Sequence, residues 1–231
     1  MDADLTDCLK WYLVFLTSTV CHEAAHAWAA QKLGDNTAAL GGQVSLDPTP
    51  HIRREPLGMV VVPIVSFLMG GWMIGWASAP YSREWAFYYP RRSAAMALAG
   101  PAVNLALALV AVLLMHLGMA AHFFLPPSNL SFTHLVDSAG SDFSYFAAQM
   151  VSILFSLNLL LATFNLLPVP PLDGSNAPGL FLPANAARRW MEFTRQPQVR
   201  MLGLFLAWRL FGTIFPEIHK AATHFLFPQT F

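Results

Sequence analysis

Inside the apolar run Leu9–Leu33 lies Cys21-His22-Glu23-Ala24-Ala25-His26, and the reading of this stretch decides the fold. Two histidines four positions apart on a helix project from one face and can share a metal ion. The glutamate between them is placed to take a proton from water activated at that ion, the arrangement of a zinc hydrolase. Taken alone, the pattern also suits a polar contact between helices. The surroundings make that second reading costly. Each charged side chain near the centre of a membrane helix costs about 2.5–3.5 kcal/mol, and here three ionisable groups fall within about one turn. Something must compensate them, and a metal ion in a hydrated cavity does.

The composition around this stretch points to the same setting. Of the 231 residues, 55% are hydrophobic and 11% charged, against about 25% charged in an ordinary soluble domain. A multi-pass membrane protein in contact with the lipid bilayer is the class this implies. Lys plus Arg equals Asp plus Glu at 13 each, so no overall charge points to nucleic acid as a partner. Cys8 and Cys21 cannot make a disulfide framework, and Cys21 reads as a small apolar neighbour of His22. Asp2, Asp4 and Asp7 stand where a secretory signal would carry positive charge, so the first apolar run is expected to be retained. The chain reads as a single membrane-embedded domain, residues 1–231, without repeats.

Five apolar stretches follow one another: Leu9–Leu33, Leu57–Ser78, Ser93–Met119, Tyr145–Leu167 and Val199–Phe215. A crossing takes about 20 helical residues, so four qualify and the last is marginal. Basic residues prefer cytoplasmic loops. If all five stretches cross, the basic residues, leaving out Arg209 inside the last stretch, divide eight to four between the two faces. If Leu57–Ser78 instead enters and returns, Lys32, Arg53 and Arg54 join Arg83, Arg91, Arg92, Arg188, Arg189, Arg195 and Arg200, leaving only Lys10 and Lys220 opposite, a division of ten to two. Pro63 and Gly70-Gly71 suit such a re-entrant hairpin, although a kinked span also tolerates them. Two helical arms of about 11 residues would each reach about 16 Å, half the hydrocarbon thickness, and set the turn beside the metal.

A catalytic zinc needs a third protein ligand and one open position. Asp173 is the acid in the most telling context, at the end of Asn165-Leu-Leu-Pro-Val-Pro-Pro-Leu-Asp-Gly174. The prolines end a helix and hold the backbone extended, and Gly174 permits a tight turn. Irregular backbone at membrane depth persists only where it is buried in protein or lines a watery cavity. Without the histidine pair, a Pro-rich loop with a solvated aspartate would be the simpler reading.

The pairing of His22-Glu23-x-x-His26 with Asn165-x-x-Pro-x-Pro-x-Leu-Asp-Gly174 resembles the site-2 protease family of intramembrane metalloproteases, and Gly100-Pro101-Ala-Val-Asn104 is similar to that family's GPxxN pattern. The stretch Gly41-Gly-Gln-Val-Ser-Leu-Asp-Pro48, with His51 and Pro56-Leu-Gly58, resembles its compact bacterial and archaeal branch without PDZ or CBS domains. The resemblance implies an all-α polytopic fold: a core of three helices, accessory helices, the hairpin and a short β element. It implies one Zn2+ held by His22, His26 and Asp173, with Glu23 as general base and acid. It also implies a transmembrane protein as substrate, residence in the plasma membrane of a prokaryote, and Asn165 and Asn104 as candidates to orient the substrate backbone or oxyanion. For Asn165 a helix-terminating hydrogen bond stands as the alternative, and for Asn104 a helix contact with Gly100.

Gly41–Leu46 is expected to be the short strand, its edge open to an unwound substrate, or else a plain connection. His51 is expected to stand near the metal without ligating it. A zinc-binding membrane protein without proteolysis, such as a transporter, is the competing class, since transporters also place His and Asp near the midplane. It does not require a glutamate between the histidines.

Overall fold

The computed structural model describes residues 5–228, and Asp2 and Asp4 of the acidic N-terminus lie outside the described residues. α1 (Leu5–Lys32) leads into two short helices, α2 (Thr37–Leu40) and α3 (Pro48–Arg54). A π-helical turn, Leu57–Val61, continues into α4 (Val62–Gly70), and after an extended segment come α5 (Arg83–Tyr88) and α6 (Pro90–Ala120). Two short strands, β1 (Phe124–Leu125) and β2 (Asp137–Ser138), precede α7 (Asp142–Asn165). A 3-10 segment, Asp173–Leu180, α8 (Ala184–Thr194) and α9 (Pro197–Leu226) complete the described chain.

α6 is the central helix, packed against both α1 and α7. Its buried side is a stripe at helical spacing, Ala97, Gly100, Asn104, Ala108, Ala111 and Met115. Small residues on such a stripe let helix backbones approach closely, which is how helices associate when lipid offers no hydrophobic contrast. The opposite side exposes Leu109, Leu113 and Leu117. α6, α7 and α9 are long and apolar enough to cross a membrane. α1 has 28 residues, ample for a crossing, but it carries the ionisable residues of the metal motif. α9 has 30 residues and runs through Pro216, so the marginal fifth stretch is a full-length helix.

The segment Leu57–Ser78 folds back on itself. Its first arm is the π-turn with α4, Gly71 turns the chain in the left-handed region (φ 74°), and the return arm is extended rather than helical. The arms touch through glycine: a Cβ on Gly58 would lie 2.3 Å from the Trp76 carbonyl oxygen, and one on Gly75 would lie 2.3 Å from that of Gly58. The Trp76 N–H donates to the Gly58 carbonyl at 3.1 Å. At its base the Ser78 hydroxyl donates to Glu55 at 2.6 Å, so entry and exit share one face. The turn goes deeper than two equal helical arms would carry it. Phe67 and Met73 pack in one cluster with Trp11, Val14 and Phe15 of α1, about two to three turns before His22. A 14-residue helical arm of about 21 Å accounts for the extra depth.

The ends of several elements gather on the hairpin's face. Arg92 donates to the Leu33 carbonyl at 3.1 Å, the Ser82 N–H to Asp35 at 2.8 Å, and Arg188 to the Phe87 carbonyl at 3.0 Å. Impermeant thiol labelling checks this arrangement. With Cys8 and Cys21 replaced, Thr49→Cys and Ser82→Cys should both be protected from reagent added outside. Labelling at one site alone would mean that Leu57–Ser78 crosses.

The expected strand at Gly41–Leu46 is not formed. Gly42 turns with φ 74°, the Gln43 N–H returns to the Ala38 carbonyl at 3.0 Å, and the Ser45 carbonyl accepts from His51 at 3.0 Å. These local bonds leave no ladder edge. Asp47 then caps α3 by accepting from the Thr49 N–H, which together with the Thr49 hydroxyl holds its carboxyl below the usual aspartate range. The β element is the antiparallel β1–β2 pair, in the loop between α6 and α7. Leu135 and Val136 plug this loop into the α6–α7 core. Burial works to raise the Asp137 carboxyl, but Ser128 donors and His134 bring it below its ordinary value.

Candidate metal centre

His22 and His26 lie on the buried stripe of α1, and their rings meet edge to face at 4.6 Å between centroids. Their Nε2 atoms are 3.0 Å apart, and Asp173 Oδ2 lies 3.2 Å from His22 Nε2 and 3.3 Å from His26 Nε2. Three donor atoms at this spacing form one face of a tetrahedron whose centre lies about 2 Å from each corner, the bond length zinc takes with imidazole and carboxylate. The donor set suits zinc in type as well, two imidazoles and one carboxylate with a fourth position open. Among the described residues, these three are the His, Cys, Asp and Glu side chains that converge closely enough to hold a metal ion.

Gly100 of α6 leaves open the space in front of the two histidine nitrogens. A Cβ at this position would lie 2.5 Å from His22 Nε2 and 2.4 Å from His26 Nε2, in space that both ligand nitrogens face. Gly100 is thus required by the site itself, beyond the helix contact expected of it.

Each histidine is oriented by its other nitrogen. His26 Nδ1 donates to the Met96 carbonyl at 2.9 Å. His22 Nδ1 lies 2.5 Å from Asn104 Oδ1, and the Asn104 amide nitrogen donates to Asn158 Oδ1 at 2.8 Å. Asn158 donates in turn to the Ser18 hydroxyl and the Leu154 carbonyl, each at 2.8 Å. Such outer contacts fix the ring plane and leave Nε2 free to bind a metal ion. Asn104 is therefore fully buried with both polar atoms engaged inside the protein, turned to His22 rather than to a substrate.

Asp173 arrives on an irregular segment. α7 ends at Asn165, and the prolines carry the chain to the 3-10 segment. A Cβ on Gly174 would lie 2.3 Å from the Leu166 carbonyl oxygen, so only glycine permits this turn. α9 braces the segment from behind, where a Cβ on Gly203 would come within 1.8 Å of the Pro170 carbonyl oxygen. The Trp190 indole of α8 donates to the Ser175 carbonyl at 2.7 Å, two residues beyond the ligand.

Glu23 is buried on α1 between the histidines, and its carboxylate has no hydrogen-bond partner among the described residues. The Asn165 amide donates to the Leu161 carbonyl at 3.0 Å, the helix-terminating bond that stood as its alternative role. His51 is buried, with Nε2 held by Ser45 and with Nδ1 unpartnered, and it is not part of the ligand cluster. Sequence reasoning missed Asn158 and Ser18. Their signal was positional: Ser18 is one turn before His22 on the same stripe, and Asn158 is two turns before Asn165.

Comparison with known proteins gives the family. Residues 11–208 match the profile of peptidase family M50. The relatives this chain resembles include two whose names begin "Putative zinc metalloprotease". YwhC of Bacillus subtilis (strain 168) is 36% identical over 167 residues, covering 71% of this chain and 65% of that protein. Rip2 of Mycobacterium tuberculosis (strain ATCC 25618 / H37Rv) is 32% identical over 206 residues, covering 89% of this chain and 70% of that protein. The match thus spans just under two thirds of the Bacillus protein's own length. No solved structure matches the chain.

Proposed function

The chain belongs to peptidase family M50, and from that premise we propose that it is a single-domain intramembrane zinc metalloprotease. In this reading it cuts peptide bonds within or near the transmembrane segments of membrane-protein substrates, in the plasma membrane of a prokaryote. The convergence of His22, His26 and Asp173 on one point, in a chain with three helices long and apolar enough to span a bilayer, is the observation that supports it.

His22, His26 and Asp173 would hold one Zn2+, which supplies Lewis acidity toward water and the scissile carbonyl. Glu23 takes the proton of the attacking water and delivers it to the leaving amine, so that one carboxylate serves as base and then as acid. Its freedom from hydrogen bonds supports this role. Peptide bonds in a substrate helix are shielded by their own hydrogen bonds, so the segment must unwind before it reaches the centre. Asn165 has one amide N–H committed to Leu161. Its second N–H and its carbonyl oxygen are the groups we assign to the substrate backbone.

The test is cleavage of a transmembrane substrate by the purified protein in a bilayer, with bound zinc measured in parallel. Wild type should cut, and removal of metal by a chelator should stop it. Asp173→Ala should lose zinc affinity and cleavage together. Cleavage that continues without metal would end the proposal.

A further inference from the structure

We infer that Asn158 is a positioning residue for the metal centre: with Asn104 it transmits the direction of a backbone carbonyl in α7 to His22, and so selects the His22 tautomer that binds metal. The inference deepens the metalloprotease reading and takes its ion from it.

The chain of contacts has a fixed sense because it begins at a group that can only accept. The Leu154 carbonyl receives a hydrogen bond from Asn158 at 2.8 Å, so the Asn158 atom facing it must be the amide nitrogen. The second N–H of the same nitrogen goes to the Ser18 hydroxyl at 2.8 Å. Asn158 Oδ1 is thereby turned to Asn104, 2.8 Å away, and can only accept. Asn104 must then present its nitrogen to Asn158 and its oxygen to His22 Nδ1, at 2.5 Å. Facing a carbonyl oxygen, His22 Nδ1 must carry the proton, which leaves the lone pair on Nε2, the atom 3.2 Å from Asp173. No alternative flip of either amide satisfies the chain, because each would set two donors or two acceptors against each other.

Burial gives this sense its force. Asn104, Asn158 and Ser18 are all fully buried, so no bulk water can repair a reversed amide. The three residues come from α6, α7 and α1, so the relay also joins the three core helices at the level of the site. His26 reaches the same result in one step through the Met96 carbonyl. Both histidine tautomers thus trace back to backbone carbonyls, one directly and one through two amides. Without Asn158, Asn104 can rotate its nitrogen toward His22, and that orientation favours the wrong tautomer.

A double-mutant cycle on zinc affinity tests the inference, using full-length protein in detergent and competition with a chelator. Asn158→Leu, which keeps the branching of asparagine and removes both polar groups, should weaken zinc binding by about 10–100-fold in the otherwise wild-type chain. Asn104→Leu should weaken it over a similar range. In the Asn104→Leu background the Asn158 change should add less than about twofold, because the relay is already cut. A residue that merely packs would cost the same in both backgrounds, and that result would overturn the inference. So would unchanged affinity of Asn158→Leu alone. Asn158→Ala takes its place in the cycle if the leucine variant does not accumulate. Wild-type protein that binds no zinc would overturn the metalloprotease reading and the relay together, whereas wild-type binding with an additive cycle overturns the relay alone.

Discussion

Glu23→Gln is expected to lower turnover by about 10²–10⁴-fold while leaving zinc content near that of wild type. The glutamine keeps the size and nearly the shape of the side chain, so packing around α1 is undisturbed. What it removes is the ability to take a proton from water and pass it to the leaving amine. The three ligand atoms come from His22, His26 and Asp173, so the ion should remain. Measuring metal and cleavage on the same preparation separates the roles. If zinc fell in Glu23→Gln as far as in Asp173→Ala, Glu23 would be a ligand and the assignment would fail. The variant also separates a protease from a transporter, since zinc movement has no need of a proton carrier between the histidines.

Gly100→Ala should abolish zinc binding, with affinity falling by more than about 100-fold, beyond the usual loss from an outer-shell change. The added methyl would lie 2.4 Å from His26 Nε2 and 2.5 Å from His22 Nε2, closer than unbonded atoms approach. Two relaxations are open. The rings can turn away, which moves both ligand atoms, or α6 can retreat from α1. Retreat stretches the Asn104 contact to His22 at 2.5 Å and the Met96 contact to His26 at 2.9 Å, which hold the rings in place. Either way the centre opens. The accompanying overpacking should cost about 1–3 kcal/mol in stability, so thermal unfolding of the metal-free protein is measured alongside. Zinc binding at wild-type strength would show that Gly100 makes no room for the ion.

The ligand trio was legible because it depends on rules that act along the chain. Four-residue spacing fixes the face that His22 and His26 share, and Asp173 was singled out by the prolines and glycine around it. The hairpin was legible for a similar reason, since Gly70-Gly71 and the clustered basic residues bear on it locally. The missing strand at Gly41–Leu46 shows where local reading fails, because a single left-handed residue, Gly42, turned the backbone bonds inward. The hairpin's depth was misjudged because a helical and an extended arm differ about twofold in rise per residue. The parts played by Asn158 and Gly100 depend on how the helices dock, which spacing along one helix does not report. Asn158 is one polar residue in an apolar helix until α6 and α1 are docked against it, and the need for glycine at 100 exists only between two helices.

The brace between Gly203 and the Pro170 carbonyl bears on the order in which the molecule is made. A chain emerges N-terminus first, at about 5–20 residues per second. The two histidines enter the bilayer together on α1 almost at once. Their partner Asp173 is 151 positions away from His22, and the segment bearing it packs at Pro170 against Gly203 of α9, which is made later still. Until residue 173 has been made, the nascent chain therefore holds only two of the three converging side chains, too few to retain a zinc ion tightly. On the proposed reading, a protease that shares its membrane with other newly inserted helices would stay inert until Asp173 and the α9 brace behind it are both made.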